Sequence, residues 1–254
     1  AVADHPTGNI RQQEILHELG NHFGIENVAL ITGEAGIDSL RTFYFPYYHY
    51  AVLNGPQCQF DPWEPDYDAI TKDRTYPVSC LNNWNKYHRL KLFDELYNKS
   101  YFNKLLYSYN HRFSNDELQD PLSRKHSERL PILVDRPSSG WNKNIVEPYY
   151  PATKDAYLNL ITENTVDQRF ISEKIYKPIA YGQLFILLCG VGTVESLRKM
   201  GYDVFDDYID HSYDLESNLD LRIKKIADEV DRWMTLDHAD IFKNTVDRRL
   251  ANAK

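Results

Sequence analysis

The chain has 254 residues, 42% hydrophobic and 26% charged, which is enough to bury a sizeable core in one large domain or two small ones. A net charge of -8 disfavours a nucleic-acid surface, because phosphate binding needs clustered Lys and Arg. No apolar run approaches the roughly 20 residues that span a bilayer, and no secretory signal is read at the start, so the expectation is a soluble protein.

In chain order, the first predicted helix covers Ile10–Phe23, with Ile10, Ile15, Leu16 and Leu19 at roughly helical spacing and Gly24 ending it. Val28–Thr32 reads as a strand closed by Gly33-Glu34-Ala35-Gly36. Glu34 therefore stands in a loop after a strand, either as a solvated turn carboxylate or as a group for chemistry. The block Phe43–Tyr50 holds much of the aromatic content and reads as a half-buried strand or as a stacking wall for a sugar. Cys58–Asp73, with Pro62 and Pro65 among its carboxylates, breaks the periodicity and marks a boundary between a small α/β unit at 1–72 and a larger one at 73–254. Asp61, Glu64, Asp66 and Asp68 in that segment do not follow the calcium-loop pattern.

Beyond the boundary, Tyr76–Leu81 predicts a strand, Asn82–Lys86 a polar loop and Tyr87–Tyr97 a helix with Leu92, Phe93, Leu96 and Tyr97 on one face. Leu105–Tyr109 is a further strand, followed by loop-rich sequence to Arg129 and a short apolar Leu130–Val134. Pro137–Pro151 is loop-like, with Trp141, Tyr149 and Tyr150 as candidate ligand-facing rings. Leu158, Leu160 and Ile161 form a strand that gives way to a polar Thr162-Glu163-Asn164 loop. Ser172 then sits where an N-cap belongs, and Glu173 in the first turn suits the helix dipole. Pro178 limits the length of that helix, whose Ile175, Ile179 and Ala180 face the core while Tyr176 and Lys177 form a polar pair. Phe185–Leu188, between Gly182 and Gly190, reads as a strand of a parallel sheet buried on both faces. Leu219, Ile223, Ile226, Val230 and Trp233 mark an amphipathic helix over Leu219–Met234, and Ala239–Val246 a terminal one. Alternating strands and helices imply a parallel sheet covered on both faces. The three cysteines, Cys58, Cys80 and Cys189, are scattered, and the two in apolar runs read as buried thiols of a reducing, cytoplasmic compartment.

Two stretches carry candidate chemistry. Lys174 in a first helical turn opposes the dipole unless an anion is present, so Ser172-Glu173-Lys174 reads as a diphosphate site at that helix start or as a surface helix with a Glu and a Lys side by side. Asn82–Arg89 also runs from a strand into a helix, and Lys86, His88 and Arg89 could reach phosphate, although a solvated or capping role is the simpler one for His88. Gly190-Val191-Gly192 is not a dinucleotide fingerprint, because Glu195 would face the pyrophosphate. No zinc spacing and no P-loop appear.

The strand-loop-helix Tyr157–Gly190, with Thr162-Glu163-Asn164 followed by Ser172-Glu173-Lys174, resembles the donor-binding region of the alpha-1,3-fucosyltransferase family. That family ends the strand in Phe-Glu-Asn and opens the helix in Thr-Glu-Lys. Cys80–Arg89 is similar to its other donor-side loop, so the likeness covers about residues 76–212. The sequence departs from the family at Thr162, which replaces the aromatic, and at Phe170, where a tyrosine is usual. The resemblance implies two Rossmann-like domains facing a cleft, the GT-B type, and inverting sugar transfer from a nucleotide sugar to a glycan hydroxyl without a metal. GDP-fucose would be the donor. Glu173 would lie near the donor ribose or sugar, Lys174 on the diphosphate, Asn164 at the donor and Arg89 on phosphate. Asn82, Glu163, Phe170 and Ser172 complete the candidate donor set. Glu34, chosen by its loop position, is the candidate base for the acceptor hydroxyl. The alternatives are a transferase using UDP- or dTDP-sugars and a non-catalytic nucleotide- or glycan-binding module.

Overall fold

A computed structural model describes residues 70–133 and 154–253, together with Asn21, Leu30–Thr32 and Thr42–Tyr44. Leu30–Thr32 (β1) and Thr42–Tyr44 (β2) pair in parallel, with Leu30 opposite Thr42. Of the predicted first helix only Asn21 is described, and it is helical. Glu34, Cys58, the Cys58–Asp68 carboxylates, Trp141, Tyr149 and Tyr150 lie outside the described residues.

The main unit is an all-parallel four-stranded sheet built from Tyr76–Asn82 (β3), Leu106–Tyr109 (β4), Ala156–Thr162 (β5) and Leu184–Leu188 (β6), in the order β4-β3-β5-β6. Val78 faces Leu158 and Leu160 faces Ile186 in the register. Every residue of β5 and β6 is buried, which is why both read as continuous apolar runs. Within β5 the Asn159 Oδ1 accepts from Ser79 Oγ at 2.7 Å across the sheet.

Among the described residues the helices around the sheet are Tyr87–Tyr97 (α1), Pro121–His126 (α2), Glu173–Ala180 (α3), Thr193–Lys199 (α4), Leu219–Trp233 (α5), His238–Asn244 (α6) and Val246–Asn252 (α7). The 4-3-4-3 apolar spacing of α5 buries Ile223, Ile226, Val230 and Trp233 completely. Trp233 Nε1 donates to Pro77 O at 3.0 Å, so the buried indole has its partner.

Several expectations need correction. The segment to Arg129 is not all loop: Asp120 caps α2 by accepting from Ser123 N at 2.7 Å, with Pro121 at the first helical position. Asn82 and Thr162 belong to strand ends, because Asn82 pairs with Tyr109 and Thr162 with Leu188. Tyr176 is 1% exposed and not a surface polar partner of Lys177. The terminal helix is two helices meeting at Thr245, whose Oγ1 bonds back to Ile241 O at 2.8 Å. The α/β pattern is as expected, and what is described is a four-stranded parallel sheet with its helices and the short parallel pair β1-β2.

Two glycines test the local geometry. Gly201 follows α4 at φ 95°, with Gly201 N bonded to Arg198 O and Tyr202 N to Leu197 O, a Schellman end open to solvent. Gly190 has no such φ, but a Cβ there would lie 2.0 Å from Gln168 O. Gly190→Ala is therefore expected to cost about 1–3 kcal/mol by forcing the 164–170 loop off β6. Gly201→Ala, strained in φ alone, should cost about 1 kcal/mol. Urea denaturation of both variants checks the order, which reverses if loop packing is not what Gly190 serves.

Candidate functional site

The strand order reverses between β3 and β5: the chain leaves β3 for β4 on one side and later returns to β5 on the other. In open parallel sheets the crevice at the carboxyl ends of such strands is where ligands bind. The candidate residues from both sequence stretches converge there.

Glu163 is the centre. It follows β5, its amide continues the ladder to Leu188 O at 2.9 Å, and its side chain is fully buried. One carboxylate oxygen accepts from Ser172 N at 3.0 Å and Ser172 Oγ at 2.6 Å. The other accepts from Asn164 N at 3.2 Å and lies 3.4 Å from Lys174 Nζ. Ser172 is the predicted N-cap, accepting from Lys174 N at 3.3 Å. A carboxylate of the protein thus already sits against the start of α3, where the dipole favours negative charge.

Lys174 is accordingly not left waiting for a ligand. Its ammonium lies 3.0 Å from Ser172 Oγ and 3.3 Å from Glu173 Oε1, and about a third of its side chain still meets solvent (29%). Burial works against its charge, but the Glu163 and Glu173 carboxylates outweigh it and hold its pKa above the ordinary lysine value. Burial likewise opposes the Glu173 carboxylate, yet Lys174 and Lys177 keep its pKa below normal. Lys177 itself is pushed down by burial.

Arg89 closes the other side. It is 3% exposed, and its guanidinium donates to Trp84 O at 3.2 Å, Thr162 O at 3.2 Å, Glu163 O at 3.3 Å and Asn164 Oδ1 at 3.0 Å. Burial lowers its pKa, partly offset by Glu163. The expected open fork for phosphate is instead a clamp on the β5 loop. His88, expected to be solvated or capping, is also buried, with Nε2 2.9 Å from Glu163 O. A carbonyl can only accept, so Nε2 carries the proton in the neutral ring. Burial pushes this imidazole down to about 4. Asn82, 2% exposed, accepts from Thr162 Oγ1 and donates to Cys80 Sγ at 3.3 Å, tying the ends of β3 and β5 together. Cys80 is a buried free thiol pushed up to about 12 by burial, and Cys189 is also free and buried. Phe170 is half-buried and Asn164 exposed at the mouth.

The Gly190–Gly192 turn is organised by the protein as well. Asp214 accepts from Val194 N and Glu195 N at 3.1 Å each, filling the start of α4 with a carboxylate. A neighbouring cleft of about 530 Å³ is lined by Glu195, Asp206, Asp207, Asp210 and Asp214, with Arg198 and Arg232. It has the wrong sign for a diphosphate. Among the described residues no group of three or more His, Cys, Asp and Glu is placed to hold a metal, and no helix is long and apolar enough to cross a membrane.

Two outcomes test this frame. Glu163→Gln, which leaves four donors around a neutral group, should cost about 3 kcal/mol in urea unfolding, whereas Glu173→Gln at the rim should cost under about 1 kcal/mol. His88 takes up a proton at its ordinary 6.5 when unfolded but only near 4 when folded, so stability falls as pH drops through that window. The loss amounts to roughly 3 kcal/mol. His88→Gln, which keeps a donor for Glu163 O, should flatten that slope in unfolding curves taken from pH 7 to pH 4. Compared with models of protein families, with curated proteins and with solved structures, the chain matches none.

Proposed function

We propose that the chain is an inverting, metal-independent glycosyltransferase whose described α/β unit is the donor-binding half of a GT-B pair, with residues 1–72 as the acceptor-side half. Fucose carried by GDP is the first donor to test. The observation that supports this reading is the convergence of Arg89 and Lys174 on Glu163, with Glu173 beside Lys174, at the carboxyl ends of the strands where the order reverses.

In this reading each side chain has a task. Lys174, the rim cation, meets the diphosphate with its solvent-facing side and stabilises the charge that grows on the departing nucleotide. Its contacts to Glu163 and Glu173 hold it ready, so little ordering is needed when the anion arrives. Glu173 and Asn164 face the ribose or sugar. Arg89 contributes positive charge from behind the loop and fixes Asn164. Ser172, Asn82 and Glu163 hold the frame, Phe170 borders the mouth, and Glu34 removes the proton from the acceptor hydroxyl.

A thermal-shift panel with GDP, UDP, CDP and dTDP and their sugars, with and without magnesium, tests the donor. A ligand at roughly 100 times its Kd adds about 2.7 kcal/mol of stability. The expected result is a shift with guanine nucleotides that does not depend on magnesium. A shift with uracil or thymine nucleotides alone would replace the donor, binding without transfer would favour a non-catalytic module, and no shift at all would sink the reading. Lys174→Met should weaken donor binding by at least about tenfold, or 1.4 kcal/mol, while circular dichroism stays that of the parent. Unchanged affinity would remove Lys174 from the site.

A further inference from the structure

The loop after β3 combines a rigid backbone with an exposed ring. Asn82 O accepts from Asn110 N at 2.8 Å, and Asn83 Oδ1 accepts from Asn110 Nδ2 at 2.9 Å. Trp84 O is held by Arg89 Nη1. Asn85 donates to Glu117 Oε1 at 2.8 Å and accepts from Tyr109 OH at 2.9 Å. Four consecutive residues are thus pinned, and α1 begins at once behind them.

Within this frame the Trp84 side chain is 69% exposed, and its indole makes no hydrogen bond or ring contact with any described residue. A single exposed apolar residue means little by itself. Trp84, however, stands at the carboxyl end of β3, and its own carbonyl shares the Arg89 guanidinium with Asn164 and Glu163. Tyr87, three residues on, is 53% exposed and is anchored through its hydroxyl to Asp220 Oδ1 at 2.7 Å. The backbone that carries Trp84 is therefore held before any ligand arrives, and its ring is left facing solvent. The Lys174 side of the crevice is charged and polar, suited to phosphate and sugar hydroxyls, and its aromatic residue, Phe170, is half-buried where Trp84 is exposed.

We propose that Trp84 is the stacking platform for the planar base of the nucleotide. The assignment rests on the nucleotide-sugar reading and adds the residue that holds the base. Stacking accepts any base face, so Trp84 would supply affinity, not discrimination between bases.

The test is calorimetric titration of the parent, Trp84→Ala and Trp84→Phe with GDP, UDP and inorganic pyrophosphate. For Trp84→Ala the nucleoside diphosphate that binds the parent should lose about 5- to 150-fold in affinity. Pyrophosphate should bind as before, and Trp84→Phe should recover most of the loss. Equal losses for pyrophosphate and nucleotide would mean that Trp84 acts only through the loop, and no loss would mean that it does not touch the base. Either result overturns the assignment while parent binding leaves the donor-site reading standing. A parent that binds neither nucleotide nor pyrophosphate would bring down both.

Discussion

The carboxylate of Glu163 is the interaction on which the carboxyl end of the sheet depends. A charge with no solvent exposure survives only where hydrogen bonds and opposite charge replace its water. Here Ser172 supplies an amide and a hydroxyl, Asn164 an amide and Lys174 an ammonium. These donors come from the residue next to Glu163 and from the start of a helix nine residues on. Satisfying the charge therefore fixes the β5 loop, the entry of α3 and the height of Lys174 together.

Buried guanidinium groups do the complementary work on backbone carbonyls. Arg89 gathers the carbonyls of Trp84, Thr162 and Glu163; Arg222, 4% exposed, gathers those of Val166, Cys189, Glu216 and Ser217. At the opposite end of the sheet Arg249 binds Ile70 O, Gly182 O and Phe242 O and stacks over the Phe242 ring, with burial lowering its pKa to about 9. Irregular chain at a sheet end leaves carbonyls without ladder partners, and a five-donor fork answers several at once. The glycine turn after β6 follows the same logic. Gly190 makes room for Gln168, Asp214 occupies the helix start, and no opening is left for a pyrophosphate.

The cost of this order is that much of the positive charge at the crevice is already in use. Arg89 and the inner side of Lys174 are committed to the protein, and the surface left to a ligand is the outer side of Lys174, Glu173, Asn164 and the exposed Trp84. For the proposed donor site this amounts to pre-organisation: Arg89 and Lys174 keep their positions through protein contacts.

Local patterns were legible wherever one face or one cap decides the outcome. The spacing of α5, the apolar runs of β5 and β6, the Tyr87–Tyr97 helix and the Ser172 cap all follow from near-neighbour chemistry, and all are present. The Asp120-Pro121 signal for α2 is equally local, although it stands among polar residues. That Asn82–Arg89 and Glu163–Lys174 meet was implied by their matching places after strands, since an alternating α/β chain puts such loops on one side of a parallel sheet. Which charges pair was not legible. A sequence presents Arg89, His88 and Lys174 as polar and available, yet only the β3-β5 adjacency turns Arg89 and His88 inward onto Thr162 and Glu163. By itself the sequence determined the elements and the end of the sheet where chemistry gathers, because these depend on periodicity and capping. The tertiary structure decided which ionic groups are spent inside the fold and which face solvent, because Arg89 and His88 find their partners on a strand end more than seventy residues away.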